Sequence, residues 1–153
     1  MTTTTYRHTQ VGGLVLVILG IGALAVVYAG VRENWRLEQA LVLGVLLVVM
    51  RLFSTLTVEI RDGSLRVRFG PGFPRRTFRL AEITGARVVR NPWYRGWGCR
   101  RLHRGWLYNV SGFSAVEITL TSGGVYRIGT DEPEALLAAL QRAGEEARHA
   151  PER

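Results

Sequence analysis

The sequence predicts a transmembrane helical hairpin followed by an antiparallel β domain that ends in a single capping helix. Three observations lead there. Val11–Val31 runs twenty-one residues without a charge, enough at ~1.5 Å per residue to match the ~30 Å hydrocarbon core of a bilayer. From Leu56 the apolar period becomes two, as in a half-buried strand. Near the end it returns to helical spacing, with Leu136, Leu140, Ala143 and Ala147 on one stripe.

Residues 1–10, MTTTTYRHTQ, read as a polar tail. The following apolar run must be helical in lipid, where no water satisfies a bare peptide group. Ala23-Leu24-Ala25 has the small-x-small form of a cleavage site. It lies inside the run, however, and the run exceeds a usual signal-peptide core, so the reading is an uncleaved anchor. Arg32–Glu38 is a polar turn, with Trp35 suited to the head-group layer. The second apolar segment, Ala40–Met50, is short. Counted from Leu37 to Leu56 it reaches twenty residues, with Glu38 and Arg51 near its ends, where long side chains snorkel. Residues 11–54 are therefore expected to form a hairpin that crosses twice. Ala25 and Ala29 are spaced for close helix packing. Arg32 and Arg36 in the turn stand against Arg7, Arg51, Arg61, Arg66 and Arg68 on the other side. That excess predicts a multi-pass protein with both termini cytoplasmic.

The β domain is expected over 55–148. Leu56, Val58 and Ile60, then Leu65, Val67 and Phe69, alternate with polar residues around Asp62-Gly63, a strong two-residue hairpin signal. This register sets Ile60 against Leu65, Val58 against Val67, and Glu59 against Arg66, a favourable cross-strand pair. Further strands are expected around Arg76–Leu80, Ala86–Arg90, Trp97–Leu102, Trp106–Val110, Ala115–Leu120 and after Ser122-Gly123-Gly124. A three-residue turn there would put Ile118 against Ile128, and Arg127 opposite Thr119 and diagonal to Glu117. Trp106 is read as a core residue. Asp131 with Glu134 suggests a capping box for the helix 131–147, with Pro133 in its first turn and a frayed tail at 149–153.

About seven antiparallel strands, one C-terminal helix and a helical hairpin in front make the chain look like the bacterial membrane-anchored pleckstrin-homology-like (PH-like) proteins. The resemblance is sharpest at NPWYRGWG (91–98), GWLYNVSG (105–112) and IGTDEPEAL (128–136). It implies a PH-like β-barrel or sandwich attached to the bacterial inner membrane, and no particular activity. Arg61 and Arg66-Val67-Arg68 resemble the basic spacing with which some PH domains hold phosphoinositides. The loop between them, Asp62-Gly63-Ser64, is too short and acidic for such a pocket.

Charge narrows the function. Residues 54–130 carry 13 Arg and only 4 acids, and the chain holds no Lys. Basic residues beside a membrane are drawn to anionic lipid by about 1 kcal/mol each. The lone Cys99 excludes an internal disulfide; basic neighbours can lower a thiol pKa, but a lone small residue on a strand is read as packing. The three His are scattered, no phosphate loop is present, and the converging polar groups an active site needs are missing from the pattern. The reading is therefore non-enzymatic, with no cofactor and no metal.

The working surface is placed by geometry. Only Ser54 and Thr55 separate the hairpin from the first strand, so the turn at Gly70–Pro74 and the loop 91–97 should return to the membrane, with Asp62-Gly63 pointing away. Phe73, Arg75, Arg76, Trp93, Tyr94, Arg95 and Trp97 are the candidate lipid contacts, and Arg61, Arg66 and Arg68 form a basic strand face. The expected partners are anionic membrane lipids and a recruited protein. The alternative is a subunit of a larger membrane complex, or a homo-oligomer, assembled through the hairpin. Nucleic-acid binding by the basic domain ranks below both.

Overall fold

A computed structural model describes residues 4–92 and 98–149. Its first strand, β1 (Thr4–Val11), occupies the stretch read from the sequence as a polar tail. Two helices follow, α1 (Gly13–Glu33) and α2 (Leu37–Phe53). The chain then runs through β2 (Thr55–Arg61), β3 (Ser64–Phe69), β4 (Arg75–Arg79), a 3-10 turn (Leu80–Glu82), β5 (Ile83–Arg90), β6 (Gly98–Leu102), β7 (Gly105–Asn109), β8 (Ser114–Leu120), β9 (Val125–Gly129) and α3 (Pro133–His149).

The strands form two open sheets, ordered β1-β2-β3-β4 and β5-β8-β9-β7-β6. Of the expected barrel or sandwich it is the sandwich that forms: the sheets do not close, and the described residues make nine strands with a helix over them. Nor is it wholly antiparallel, because β7 pairs parallel with β9. This places the β6–β7 hairpin at the outer edge of its sheet. Trp106 consequently remains 42% exposed rather than entering the core.

The first sheet turns Leu56, Val58, Ile60, Leu65, Val67 and Phe69 inward, in the register expected from Asp62-Gly63. Both turn residues have positive φ, 51° and 67°, as a primed two-residue turn requires. The second sheet answers with Tyr108, Val110, Val116, Ile118 and Ile128, and α3 adds Leu136, Ala139, Leu140 and Ala143. Each large aliphatic side chain sealed there stabilises the fold by roughly 1.5–3 kcal/mol.

On β1 the inward residues are polar or aromatic. Tyr6, His8 and Gln10 stand opposite Ile60, Val58 and Leu56. Two of them find partners outside the sheet: His8 Nε2 lies 2.6 Å from the Asp131 carboxylate, and Gln10 Nε2 donates to the Ser111 carbonyl at 3.1 Å, while the Tyr6 hydroxyl and Gln10 Oε1 have no partner among the described residues. Asp131 thus faces His8 instead of capping α3, and the Thr130 hydroxyl accepts from the Glu132 N–H. Pro133 starts the helix, where its missing N–H costs nothing.

Because β1 pairs with β2, the helical hairpin leaves and re-enters one sheet at adjacent strands. Val11 stands opposite Thr55, and the Gly12 N–H donates to the Ser54 carbonyl at 2.8 Å. At the far tip Asn34 adopts the left-handed conformation (φ 56°), which Asn tolerates. The Trp35 ring then folds onto Gly30, where a Cβ would come within 2.7 Å of it.

The two-span topology is overturned. Among the described residues only α1 is long and apolar enough to cross a membrane. The twenty residues counted from Leu37 to Leu56 do not form one helix: α2 stops at Phe53 and β2 begins at Thr55. Seventeen residues reach ~25 Å, short of the ~30 Å core. The expected multi-pass location in a bacterial inner membrane, with both termini cytoplasmic, falls with the second span.

Candidate functional site

Both helices present apolar side chains outward. Val17, Ile21, Leu24 and Val31 on α1 and Leu41, Val45 and Val48 on α2 are all exposed, and α2 has no buried residue. Ala25 and Ala29 border a groove of about 500 Å³ with Val26, Glu38, Gln39 and Val42.

Several loops of the sandwich gather where this hairpin is rooted. The Gly70 N–H donates to the Thr55 carbonyl at 2.9 Å, and a Cβ on Gly70 would collide with the Arg51 and Leu52 carbonyls. The β3–β4 turn is therefore pressed against the end of α2, and its Phe73 stands 69% exposed beside it. Gly98 lies next to the Phe53 ring, and Gly12 against Val110. Phe113, partly exposed, belongs to the same end, since Gln10 bonds Ser111. Asp62-Gly63 closes the opposite end of β2–β3. Trp93, Tyr94, Arg95 and Trp97 lie outside the described residues.

The outward face of the first sheet is arginine-rich, and its rows follow from the register. Nearest the hairpin runs Thr9–Thr57–Arg68–Arg75, and next Arg7–Glu59–Arg66–Thr77. Arg61, Ser64 and Arg79 make the far row. At ~3.4 Å per residue from Thr55 these rows stand roughly 7, 14 and 20 Å from the hairpin base. The Thr9 and Thr57 hydroxyls bond each other at 2.9 Å. Arg61 pairs with Asp62 at 3.2 Å. Arg66 and Glu59 share a register position as expected but form no ion pair within 4 Å, and neither Arg68 nor Arg75 pairs with any acid among the described residues. Arg75 and Arg76 fall on opposite register faces of β4, although both reach the concavity beside Arg66 and Arg68. Arg76 stands opposite Val67 on the inward-facing register and is exposed at the rim.

A second polar cluster lies on the other sheet, and the sequence concealed it. The β8–β9 turn starts one residue earlier than expected: Leu120 N–H donates to the Gly124 carbonyl, leaving Thr121–Gly123 as the turn, and Thr119 stands opposite Val125. The register therefore shifts by two residues and sets Arg127 directly opposite Glu117, with Arg87 on its other side. The Glu117 side chain is only 7% exposed. It accepts from Arg87 Nε and Nη2 at 2.8 and 2.5 Å and from Arg127 Nε at 2.7 Å, while Arg127 Nη1 donates to Asn91 Oδ1. Burial alone would raise the Glu117 pKa, but the hydrogen bonds from Arg127 and Arg87 outweigh it and hold the carboxyl below its ordinary range. With every acceptor committed to an arginine, this cluster braces the sheet.

Cys99 is the packing residue the sequence suggests. It packs against the core, and burial pushes its thiol up to about 11, so its arginine neighbours do not activate it. Alkylation by iodoacetamide at pH 8 is expected to be at least tenfold slower in the folded chain than in denaturant. Equal rates would show an accessible thiolate.

Among the described residues no three His, Cys, Asp or Glu side chains gather as metal ligands would. The assembled features are an apolar hairpin, an exposed aromatic at its root and an arginine face beside it. No known protein family matches the chain, and comparisons with curated proteins and with solved structures found no match either.

Proposed function

We propose that this chain is a non-catalytic, membrane-held β-sandwich module of the PH-like kind. Its apolar helix α1 sits in lipid, and the sandwich rests against the head groups. One observation carries the reading: an apolar helix of membrane length lies outside the core, on a hairpin whose two ends are fixed in neighbouring strands. Lipid removes that surface from water, at about 25 cal/mol per Å² of apolar area. The arginine face and Phe73 then adjoin an anionic surface, where basic charge and aromatic rings are favourable. The module's role is to hold a partner at that surface.

The test is extraction. Full-length protein bound to vesicles is expected to stay with them through an alkaline carbonate wash. Release into the wash would contradict attachment by the hairpin.

The groove bordered by Ala25 and Ala29 favours a second reading, a subunit joined to other membrane helices. Disulfide trapping of Ala29→Cys in native membranes, in a Cys99→Ser background, should yield one discrete higher-mass adduct if this holds. Only the monomer would count against it.

A further inference from the structure

We infer that Arg68 and Arg75, with Arg66 beside them, form a receptor for a dianionic phosphate group, a phosphomonoester or diphosphate borne on a lipid head group or free in solution. The inference deepens the proposed membrane reading and rests on it. Arg68 and Arg75 are direct cross-strand partners on β3 and β4, so their Cβ atoms stand about 5 Å apart. Like charges placed so are destabilising unless an anion joins them. No acid among the described residues supplies one to either residue. The Arg66 guanidinium extends from the next row, where Thr77 adds a hydroxyl. With Arg76 and Val67 they line a concavity of about 410 Å³, in which Glu59 is the one acid among the described residues.

The chemistry of the ligand follows from the donors. Guanidinium groups present paired N–H donors that match phosphate oxygens. Two of them side by side on adjacent strands are best neutralised by one group carrying two negative charges. A phosphodiester supplies one charge and a terminal phosphate close to two. The height of the row agrees with a lipid source. The head-group layer adds roughly 5–7 Å to each side of the hydrocarbon core, and the Arg68–Arg75 row stands roughly 7 Å from the hairpin base. The far row, with Arg61 and Arg79, lies beyond that layer, and Arg61 is already paired with Asp62.

Full-length protein in phosphatidylcholine vesicles provides the test. Thermal unfolding of the sandwich is followed as phosphatidic acid, or phosphatidylglycerol at matched charge, is added to the bilayer. Inorganic pyrophosphate added to pure phosphatidylcholine vesicles forms the soluble arm. A ligand that binds only the folded state raises the unfolding midpoint. Phosphatidic acid, pyrophosphate or both should raise it more than phosphatidylglycerol, and the responding arm identifies the source. In R68Q/R75Q the concentration giving half the effect should rise about tenfold or more, while R61Q/R79Q responds as the parent does.

Without ligand, R68Q/R75Q should be no less stable than the parent, because it loses only a repulsive pair. A variant that fails to fold would therefore overturn the inference. So would equal responses to the two lipids, an unchanged response in R68Q/R75Q, or a larger shift with a single-stranded oligonucleotide. Loss of the protein from pure phosphatidylcholine vesicles would instead sink the membrane reading, which separates the two failures.

Discussion

A chain in which residues 12–54 are replaced by Asn-Gly is expected to fold as a water-soluble β-sandwich. The hairpin leaves and returns between directly opposed residues, Val11 and Thr55, and the Gly12–Ser54 hydrogen bond already closes that gap. A two-residue primed turn suits such a site. The buried core draws on β2, β3, β4, β7, β8, β9 and α3, with β5 and β6 flanking it, and takes nothing from α1 or α2 beyond the flanking Phe53. Circular dichroism and a cooperative thermal transition check this, with a β-rich spectrum and one sharp midpoint expected. A chain beginning at residue 55 should behave quite differently. It lacks β1, so Leu56, Val58 and Ile60 lose the inward-facing partners Gln10, His8 and Tyr6, and β2 becomes a bare edge open to aggregation. If the two chains prove equally stable and monomeric, β1 is not part of the sheet.

The second large effect is expected at Glu117. Glu117→Gln should destabilise the sandwich by about 3 kcal/mol, because it leaves the largely buried Arg127 charge without its carboxylate. Arg87→Gln should cost less than about 1 kcal/mol, since that side chain is 72% exposed and water screens its pairing. Urea unfolding of the soluble sandwich measures both. The pH dependence has a definite sign. Burial opposes the Glu117 charge, but its two arginine hydrogen bonds prevail, and its folded pKa lies below the ordinary 4.5. Its contribution is complete above that ordinary value and is lost as pH falls through the folded value. Stability of the parent should thus decline below about pH 4.5, and Glu117→Gln should flatten that decline.

What the sequence revealed, and what it hid, divide along physical lines. The β2–β3 hairpin was legible to the residue because every inward position is apolar and Asp62-Gly63 dictates one turn. The long apolar helix and the Leu136–Leu140–Ala143 stripe were legible for the same reason. β1 was not, since its inward residues are Tyr6, His8 and Gln10, and the partners of His8 and Gln10, Asp131 and Ser111, lie more than a hundred residues away. The Glu117 cluster was hidden by turn position. A turn over Ser122–Gly124 leaves Arg127 diagonal, and the turn one residue earlier, with Gly123 at φ 79°, brings it opposite. The end of α2 depended on a tertiary contact, the β3–β4 turn lodged against the Arg51 and Leu52 carbonyls. Hydropathy alone gave no sign of that stop. The arginine rows could be drawn from the β2–β3 register, but the Arg68–Arg75 opposition needed the position of β4, whose Arg75 and Arg76 face opposite ways.

Immersion of the hairpin is the point on which the rest turns, and spin labels report it most directly. Nitroxides at Ile21→Cys and Leu24→Cys, both strongly exposed positions on α1, are compared with one at Thr77→Cys on the sandwich, all in a Cys99→Ser background and in vesicles. Lipid around the hairpin requires collisions with oxygen to exceed those with a water-soluble nickel chelate at Ile21 and Leu24, and the reverse at Thr77. Nickel collisions that match those at Thr77 would place α1 in water and contradict the membrane-held sandwich.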